Sequence, residues 1–217
     1  MSTRRALVPG LVLLAAAAGC GLSTPETPVG SPPVIVHERS DSDTTYAGLE
    51  VEPGFELPRA TLTTDDGARF NLGRDLDRPV TVFFFGYTGC NDVCPLVMSD
   101  LTLAVARLPA ALRDKVQVLF VTSDPARDDP ATLHRYLRRY NPDFTGLTGS
   151  LDTIVDVAQT MGIAIEKGHR LPSGGYEVGH GSELIGYQGK EGVLVWSEGV
   201  AVDDLTADLA RLAGQRG

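Results

Sequence analysis

The sequence predicts an α/β domain with a central mixed sheet, flanking helices and an extra N-terminal hairpin. Three observations carry that prediction. Val80 to Phe85 is an unbroken apolar, β-rich run, the pattern of a strand buried on both faces of a parallel sheet. Apolar residues at 97, 101, 104, 105 and 108 then fall on one helical face, and a second buried run, Val116 to Thr122, follows. Strand, helix and strand in that order form a crossover, which is right-handed in nearly all proteins. Near the C-terminus, Ser182 to Tyr187 and Val193 to Ser197 read as a hairpin around Gln188-Gly189-Lys190-Glu191, so parallel and antiparallel pairs share one sheet.

Taken from the N-terminus, residues 1–19 read as an export signal. Arg4 and Arg5 are a basic start and Leu7 to Ala18 an apolar core, too short for a membrane span of about 20 residues. Ala17-Ala18-Gly19-Cys20 resembles a bacterial lipobox, with Ala17 where leucine is usual, and implies lipidation of Cys20. Thr3-Arg4-Arg5-Ala6-Leu7 is only loosely similar to a twin-arginine motif, and the general secretory route fits better. Residues 20–47, with Pro25, Pro28, Pro32 and Pro33 among small polar residues, are a flexible tether that cannot bury enough surface to order itself. The expected location is therefore the extracytoplasmic face of the cell membrane, lipid-anchored. Residues 48–217 remain as one domain. Removing the signal takes two arginines away and moves the net charge from −9 to −11. That balance excludes nucleic acid as a partner, because it lacks a basic footprint.

Within the domain, 57–63 and 69–72 form the extra hairpin around Asp65-Asp66-Gly67. The helix of the crossover spans Pro95 to Leu108. Asp129 caps a second helix with Pro130 at its first position, and Leu133, Tyr136, Leu137 and Tyr140 are its buried stripe. A third helix covers Leu151 to Met161 with Ser150 as cap. Ile163 to Glu166 is a short strand, 167–179 a glycine-rich loop, and 202–213 the last helix.

The chemistry centres on Phe84-Phe85-Gly86-Tyr87-Thr88-Gly89-Cys90-Asn91-Asp92-Val93-Cys94-Pro95. The two cysteines follow a buried parallel strand and precede a helix, at the strand end where open sheets gather their chemistry. With Cys20 lipidated they are an isolated pair, held by an oxidising compartment as a disulfide unless a reductant or metal intervenes. Pro95 pushes Cys94 away from helical geometry, so Cys94 is expected in the loop at the N-cap. First-turn amides aimed at its sulfur would favour thiolate. A turn through Asn91-Asp92 brings the sulfurs together, either as a disulfide or around one metal ion. A purely stapling disulfide is the weaker alternative, since closing so short a loop adds little stability.

This run resembles the active segment of the Sco/SenC family, thioredoxin-fold copper proteins involved in cytochrome oxidase assembly. Asn91, where that family has proline, is the one departure in the segment. Val121-Thr122-Ser123-Asp124-Pro125-Ala126-Arg127-Asp128 is similar to a second family segment. Tyr176-Glu177-Val178-Gly179-His180-Gly181-Ser182 is similar to a third, with Gly179 in place of aspartate and Gly181 inserted. The resemblance covers about 50–213. It implies a thioredoxin-like fold, a redox-active pair Cys90 and Cys94, and a copper site of Cys90, Cys94 and His180. His180 precedes the terminal hairpin, where thioredoxins carry a cis-proline facing the cysteines. Thiolates suit copper(I), and an added imidazole suits copper(II). Asp124 follows a buried strand and is expected at the rim, as a partner supporting the ligands or as a turn residue before Pro125. Tyr87 is expected to pack the loop, His134 to be solvated, His37 to lie in the tether and His169 in the loop before His180.

The resemblance implies a copper metallochaperone or assembly factor, not an enzyme in the ordinary sense. Its partners would be the copper-bearing subunit of cytochrome c oxidase and other copper chaperones or thiol reductants. The alternative is an extracytoplasmic thiol–disulfide oxidoreductase that reduces partner cysteines. Against it stands His180 where thioredoxins have proline. A peroxidase would want threonine three residues before the attacking cysteine, and position 87 is tyrosine. Zinc competes for any open site of two thiolates and an imidazole.

Overall fold

A computed structural model describes residues 45–170 and 176–215, the side chains of 167–170 and 176–180 excepted. The export segment, Cys20, His37 and the tether through residue 44 lie outside the described residues.

The chain enters the sheet as β1, Leu49–Glu56, an edge strand whose register shifts between Glu50 and Phe55. Pro53 is tolerated there because an edge strand needs no donor on its open side. β2, Thr61–Thr64, and β3, Arg69–Asn71, are the expected hairpin, although 57–60 precede the strand rather than belong to it. Then come β4, Val80–Gly86, helix α1, Val93–Arg107, the short α2, Ala110–Arg113, and β5, Val116–Thr122. Helix α3, Pro130–Leu137, leads to β6, Thr145–Thr148, and helix α4, Leu151–Thr160, to β7, Ile165–Arg170. β8, Tyr176–His180, β9, Leu184–Gln188, β10, Glu191–Trp196, and helix α5, Val202–Gly214, complete the order.

Eight strands form one sheet in the order β1-β10-β9-β4-β5-β6-β2-β3. β4, β5 and β6 are mutually parallel and the remaining pairs antiparallel, so the sheet is mixed. Every residue of β4 and of β5 is buried, as expected of strands covered on both faces. Alternation along β4 sends Val82 and Phe84 to the face covered by α1, α3 and α5, and Phe83 and Phe85 to the face covered by α4. Each such side chain contributes roughly 2 kcal/mol of burial. The predicted stripe of α1 is buried at all five positions, joined by Cys94 and Met98. Asp129 and Ser150 cap α3 and α4 as expected, accepting from the Thr132 and Thr153 amides.

Three parts differ from expectation. β1 and β6 are strands that short, interrupted sequence patterns do not announce. Within the expected loop 167–179, residues 167–170 and 176–179 are strand instead, because β7 and β8 pair as a separate antiparallel ribbon, Ile165 opposite His180. A two-stranded ribbon outside the main sheet need not alternate apolar and polar residues, so it leaves no period to read. His134 is not merely solvated. Its Nδ1 lies 2.9 Å from Asp65 Oδ2 and so joins α3 to the β2–β3 turn.

The point of entry is firmly held. Asp208 of α5, 1% exposed, accepts from the amides of Ala47 and Gly48 at 3.2 and 2.8 Å and from Trp196 Nε1 at 2.9 Å. Arg211 donates to the Thr45 carbonyl and lies over the Tyr46 ring. Leu49 is level with Val195, Ile185 and Phe83 across three strand spacings, about 15 Å. The chain therefore enters at the end of the sheet from which β4 leaves.

Asp208→Ala strands two buried donors, Gly48 N and Trp196 Nε1, and should lower stability by about 3 kcal/mol. Tyr136→Phe, by contrast, removes a buried hydroxyl without a geometrically sound hydrogen-bond partner among the described residues. It should be neutral or raise stability by about 1 kcal/mol. Urea denaturation of the three proteins checks both signs.

Candidate metal and redox site

The site is built where β4 ends. Ser123 N donates to Gly86 O at 2.7 Å, tying the strand end to the turn after β5. The chain then closes a turn in which Cys90 N donates to Tyr87 O at 3.1 Å, and it enters α1 with Asp92 as N-cap. Both cysteines are buried and unbridged, Cys90 at 7% and Cys94 at 0% exposure.

Gly86 is where the sulfur of Cys94 rests. A Cβ on Gly86 would stand 3.0 Å from Cys94 Sγ and 3.1 Å from both Phe84 and Phe120. Only a residue without a side chain leaves that seat open. Behind it Tyr136 packs on Phe120 and on Tyr140 with centroids 5.5 and 5.2 Å apart. Burial holds the Tyr136 phenol well above its ordinary range.

Two expectations about Cys94 are corrected. It is the second residue of α1, not a loop residue at the cap. Pro95 sits in the first turn, where the missing N–H leaves no intrahelical bond unmade. The first-turn amide donates to Cys90 Sγ at 3.4 Å, and the help that it and the Tyr87 backbone give a Cys94 anion is smaller than the cost of burial. Burial, reinforced by the adjacent Cys90 side chain and opposed by the Tyr87 backbone, pushes the Cys94 thiol far above the ordinary 9.0. Cys94 without metal is a neutral thiol, not the thiolate that a helix start suggests.

Asp124 is not at an open rim. It is 2% exposed and pairs with Arg127, whose guanidinium lies 5.6 Å from the centre of the Tyr87 ring. Asp124 also organises the turn, its carbonyl accepting from the amides of Arg127 and Asp128. Tyr87 packs against the core on the α1 side, as expected. Asp128, to which the sequence alone assigns no role, is 1% exposed and accepts from Thr88 N, Thr88 Oγ1 and Thr122 Oγ1. The available signal was an aspartate after a buried strand in a segment too short to leave it in solvent.

His180 ends β8, four residues before Leu184, which pairs with Phe84 of β4. Its backbone is thus near the cysteine end of the sheet, while its side chain and that of His169 lie outside the described residues. The structure brings Cys90 and Cys94 together and joins Asp124 to their loop through Arg127 and Tyr87. Among the described residues no three His, Cys, Asp or Glu side chains form a metal cluster. Two adjacent thiols alone can form a disulfide, or once deprotonated hold a soft ion such as copper(I) or zinc.

Comparison with known proteins gives a consistent result. The sequence profile of the family SCO1/SenC matches residues 57–213. A SCO2-like protein of Rickettsia conorii is 31% identical over 150 residues, 68% of this chain and 64% of that protein. A Stutzerimonas stutzeri relative is matched over 50% of its length. The chain thus spans less than two thirds of either. Among solved structures, apo Sco1 of Thermus thermophilus superposes with a TM-score of 0.69 at 33% identity, covering 77% of this chain and 97% of that one. Arabidopsis thaliana ScoI with copper bound gives 0.66 at 25%, covering 74% and 99%. The fold is the thioredoxin-like one of these Sco structures.

The buried Cys94 thiol makes stability depend on pH. Its native value is raised, so its share of stability is complete below about pH 9 and is lost above it, as the unfolded chain ionises first. Reduced, metal-free protein should lose about 1.4 kcal/mol between pH 8 and pH 10 from this group. Urea denaturation of Cys94→Ala at both pH values should show that loss removed; an unchanged loss would assign the slope to other groups.

Proposed function

Because this chain belongs to the SCO1/SenC family, we propose that it is a copper-binding factor for cytochrome c oxidase assembly, holding copper through Cys90, Cys94 and His180. The observation that carries this reading is the pair of adjacent, unbridged, buried thiols at the end of β4. They occupy a sequence segment similar to that of a family whose member ScoI is known with copper bound.

Copper is cargo in this reading. Two sulfurs are soft donors suited to copper(I), and the imidazole of His180 extends the set to copper(II). Cys94 must lose its proton when copper binds, so uptake releases protons and weakens as pH falls. The cover of Phe84, Phe120 and the first turn of α1 keeps water from the Cys94 sulfur, while Cys90 is the more accessible of the two and the natural first contact for a donor or acceptor. Asp124, through Arg127 and Tyr87, steadies the loop rather than touching the ion.

The membrane anchor is part of the proposal. Lipidated Cys20 and the tether of residues 20–47 would hold the domain at the extracytoplasmic face of the membrane. The entry of the described chain at the cysteine end of the sheet supports this reading. The receiving partner is then a membrane-resident copper subunit of the oxidase. A thiol–disulfide oxidoreductase is the second reading, favoured by the greater exposure of Cys90.

Reduced protein should take up one copper per chain and, with copper(II), show intense thiolate-to-copper charge-transfer absorption. Cys90→Ala and Cys94→Ala should lose both oxidation states. His180→Ala should lose copper(II) affinity by about 100-fold or more, the order of one ligand's worth, and copper(I) far less. Equal losses in all three variants would remove His180 from the site. In cells, copper should restore oxidase assembly to a deletion strain if the first reading holds, and a thiol reductant alone if the second does. Cys20→Ser should move the protein from the membrane fraction to the soluble fraction, and retention in the membrane would refute lipid anchoring.

A further inference from the structure

We infer that Asp128 is the positioning residue of the cysteine loop, and that through Thr88 it sets the balance between the Cys90–Cys94 dithiol and its disulfide. The inference rests on the reading of this pair as a redox and metal site, but its geometry is independent of copper.

A carboxylate at 1% exposure is costly unless its oxygens are fully hydrogen-bonded. Among the described residues Asp128 has no cationic partner, and hydrogen bonds alone satisfy it. Thr88 N donates to Oδ2 at 2.9 Å, Thr88 Oγ1 to Oδ1 at 2.6 Å, and Thr122 Oγ1 to Oδ2 at 2.7 Å. Two of the three donors thus belong to one residue, two positions before Cys90. Fixing both its amide and its hydroxyl leaves Thr88 neither a free peptide nor a free rotamer.

The carboxylate is itself a fixed reference. Asp128 N donates to Asp124 O at 3.0 Å, and Thr148 Oγ1 of β6 donates to Asp128 O at 3.1 Å. Thr122 Oγ1, which donates to the carboxylate, accepts from Asp124 N at 2.9 Å. Asp128 is therefore anchored to the ends of β5 and β6. On the other side, the Cys90 N to Tyr87 O bond makes 87–90 one turn, so a restraint on residue 88 is a restraint on Cys90.

Disulfide formation requires the sulfurs to come to about 2.05 Å. Cys94 is fully buried in the first turn of α1 with its sulfur beside Gly86, whereas Cys90 lies in the turn before the helix and is the less buried of the two. The movement falls on Cys90 and its turn, which Thr88 and Asp128 hold in the dithiol arrangement. Releasing that hold favours the disulfide.

The test is equilibration with the dithiothreitol couple. Protein dithiol and oxidised dithiothreitol exchange to protein disulfide and the reduced reagent, two electrons and two protons passing to the reagent's disulfide. Thr88→Val and Asp128→Ala should each shift this equilibrium at least tenfold toward the protein disulfide, about 30 mV for a two-electron couple. Asp128→Asn keeps an acceptor for Thr88 N and can donate to Thr88 Oγ1, so it should stay within about threefold of the parent. Asp208→Ala, destabilised at a carboxylate remote from the loop, should not shift it. A parental equilibrium in Thr88→Val, or an equal shift in Asp208→Ala, would overturn the inference. Thr88→Val carries the test should Asp128→Ala not fold. No copper enters this measurement, so a parent that binds no copper would defeat the proposed function while leaving this result standing.

Discussion

Burial of β4 on both faces is the constraint on which the rest of this structure depends. All seven of its residues are buried, and its neighbours on either side are the parallel β5 and the antiparallel β9. A strand placed so deeply can reach the surface only at its ends. The residues following Gly86 are consequently delivered to one end of the sheet, beside the turn after β5, the end of β8 and the start of α1. Site assembly follows from that topology before any side-chain chemistry is considered.

The state of the Cys94 sulfur is a contest between two effects of different size. A helix start favours an anion by about 0.3–1 kcal/mol, rising to about 2 kcal/mol in partly buried geometry. Desolvation of a fully covered ionisable group shifts its titration by up to about 3–5 units, each about 1.4 kcal/mol. Cys94 is completely covered, and burial outweighs the help of its own amide and of the Tyr87 backbone, so desolvation wins. A soft metal ion reverses the balance by bonding the sulfur directly, which couples cargo uptake to proton release.

Three buried carboxylates fasten the chain, Asp124 and Asp128 at this site and Asp208 where the chain enters the sheet, each in a different way. Asp124 takes a guanidinium that also lies over Tyr87. Asp128 takes only neutral donors, two of them from the cysteine loop. Asp208 takes the entering backbone and the indole of Trp196. Asp124 and Asp128 belong to one five-residue turn, so the segment Asp124-Pro125-Ala126-Arg127-Asp128 acts as the clasp of the cysteine loop. That gives a physical role to a motif that is otherwise only a pattern.

Strong local periodicity made much of this legible in the linear sequence. The apolar runs of β4 and β5, the stripe of α1, and the caps Asp129 and Ser150 all depend on near neighbours, and all stand where the pattern put them. The sequence by itself also determined that Cys90 and Cys94 would meet beside a helix start, because strand, turn and helix leave few other arrangements. Only the tertiary structure decided what depends on distant residues. β1 and β6 are strands because β10 and β5 pair with them, and the ribbon of β7 and β8 exists because the two segments pair with each other. Asp128 became a clasp because folding removed water from a carboxylate and left Thr88 and Thr122, 40 and 6 residues away, to satisfy it. Cys94 became a neutral thiol for the same reason. Periodicity is a local property, whereas desolvation is set by everything that packs around a group.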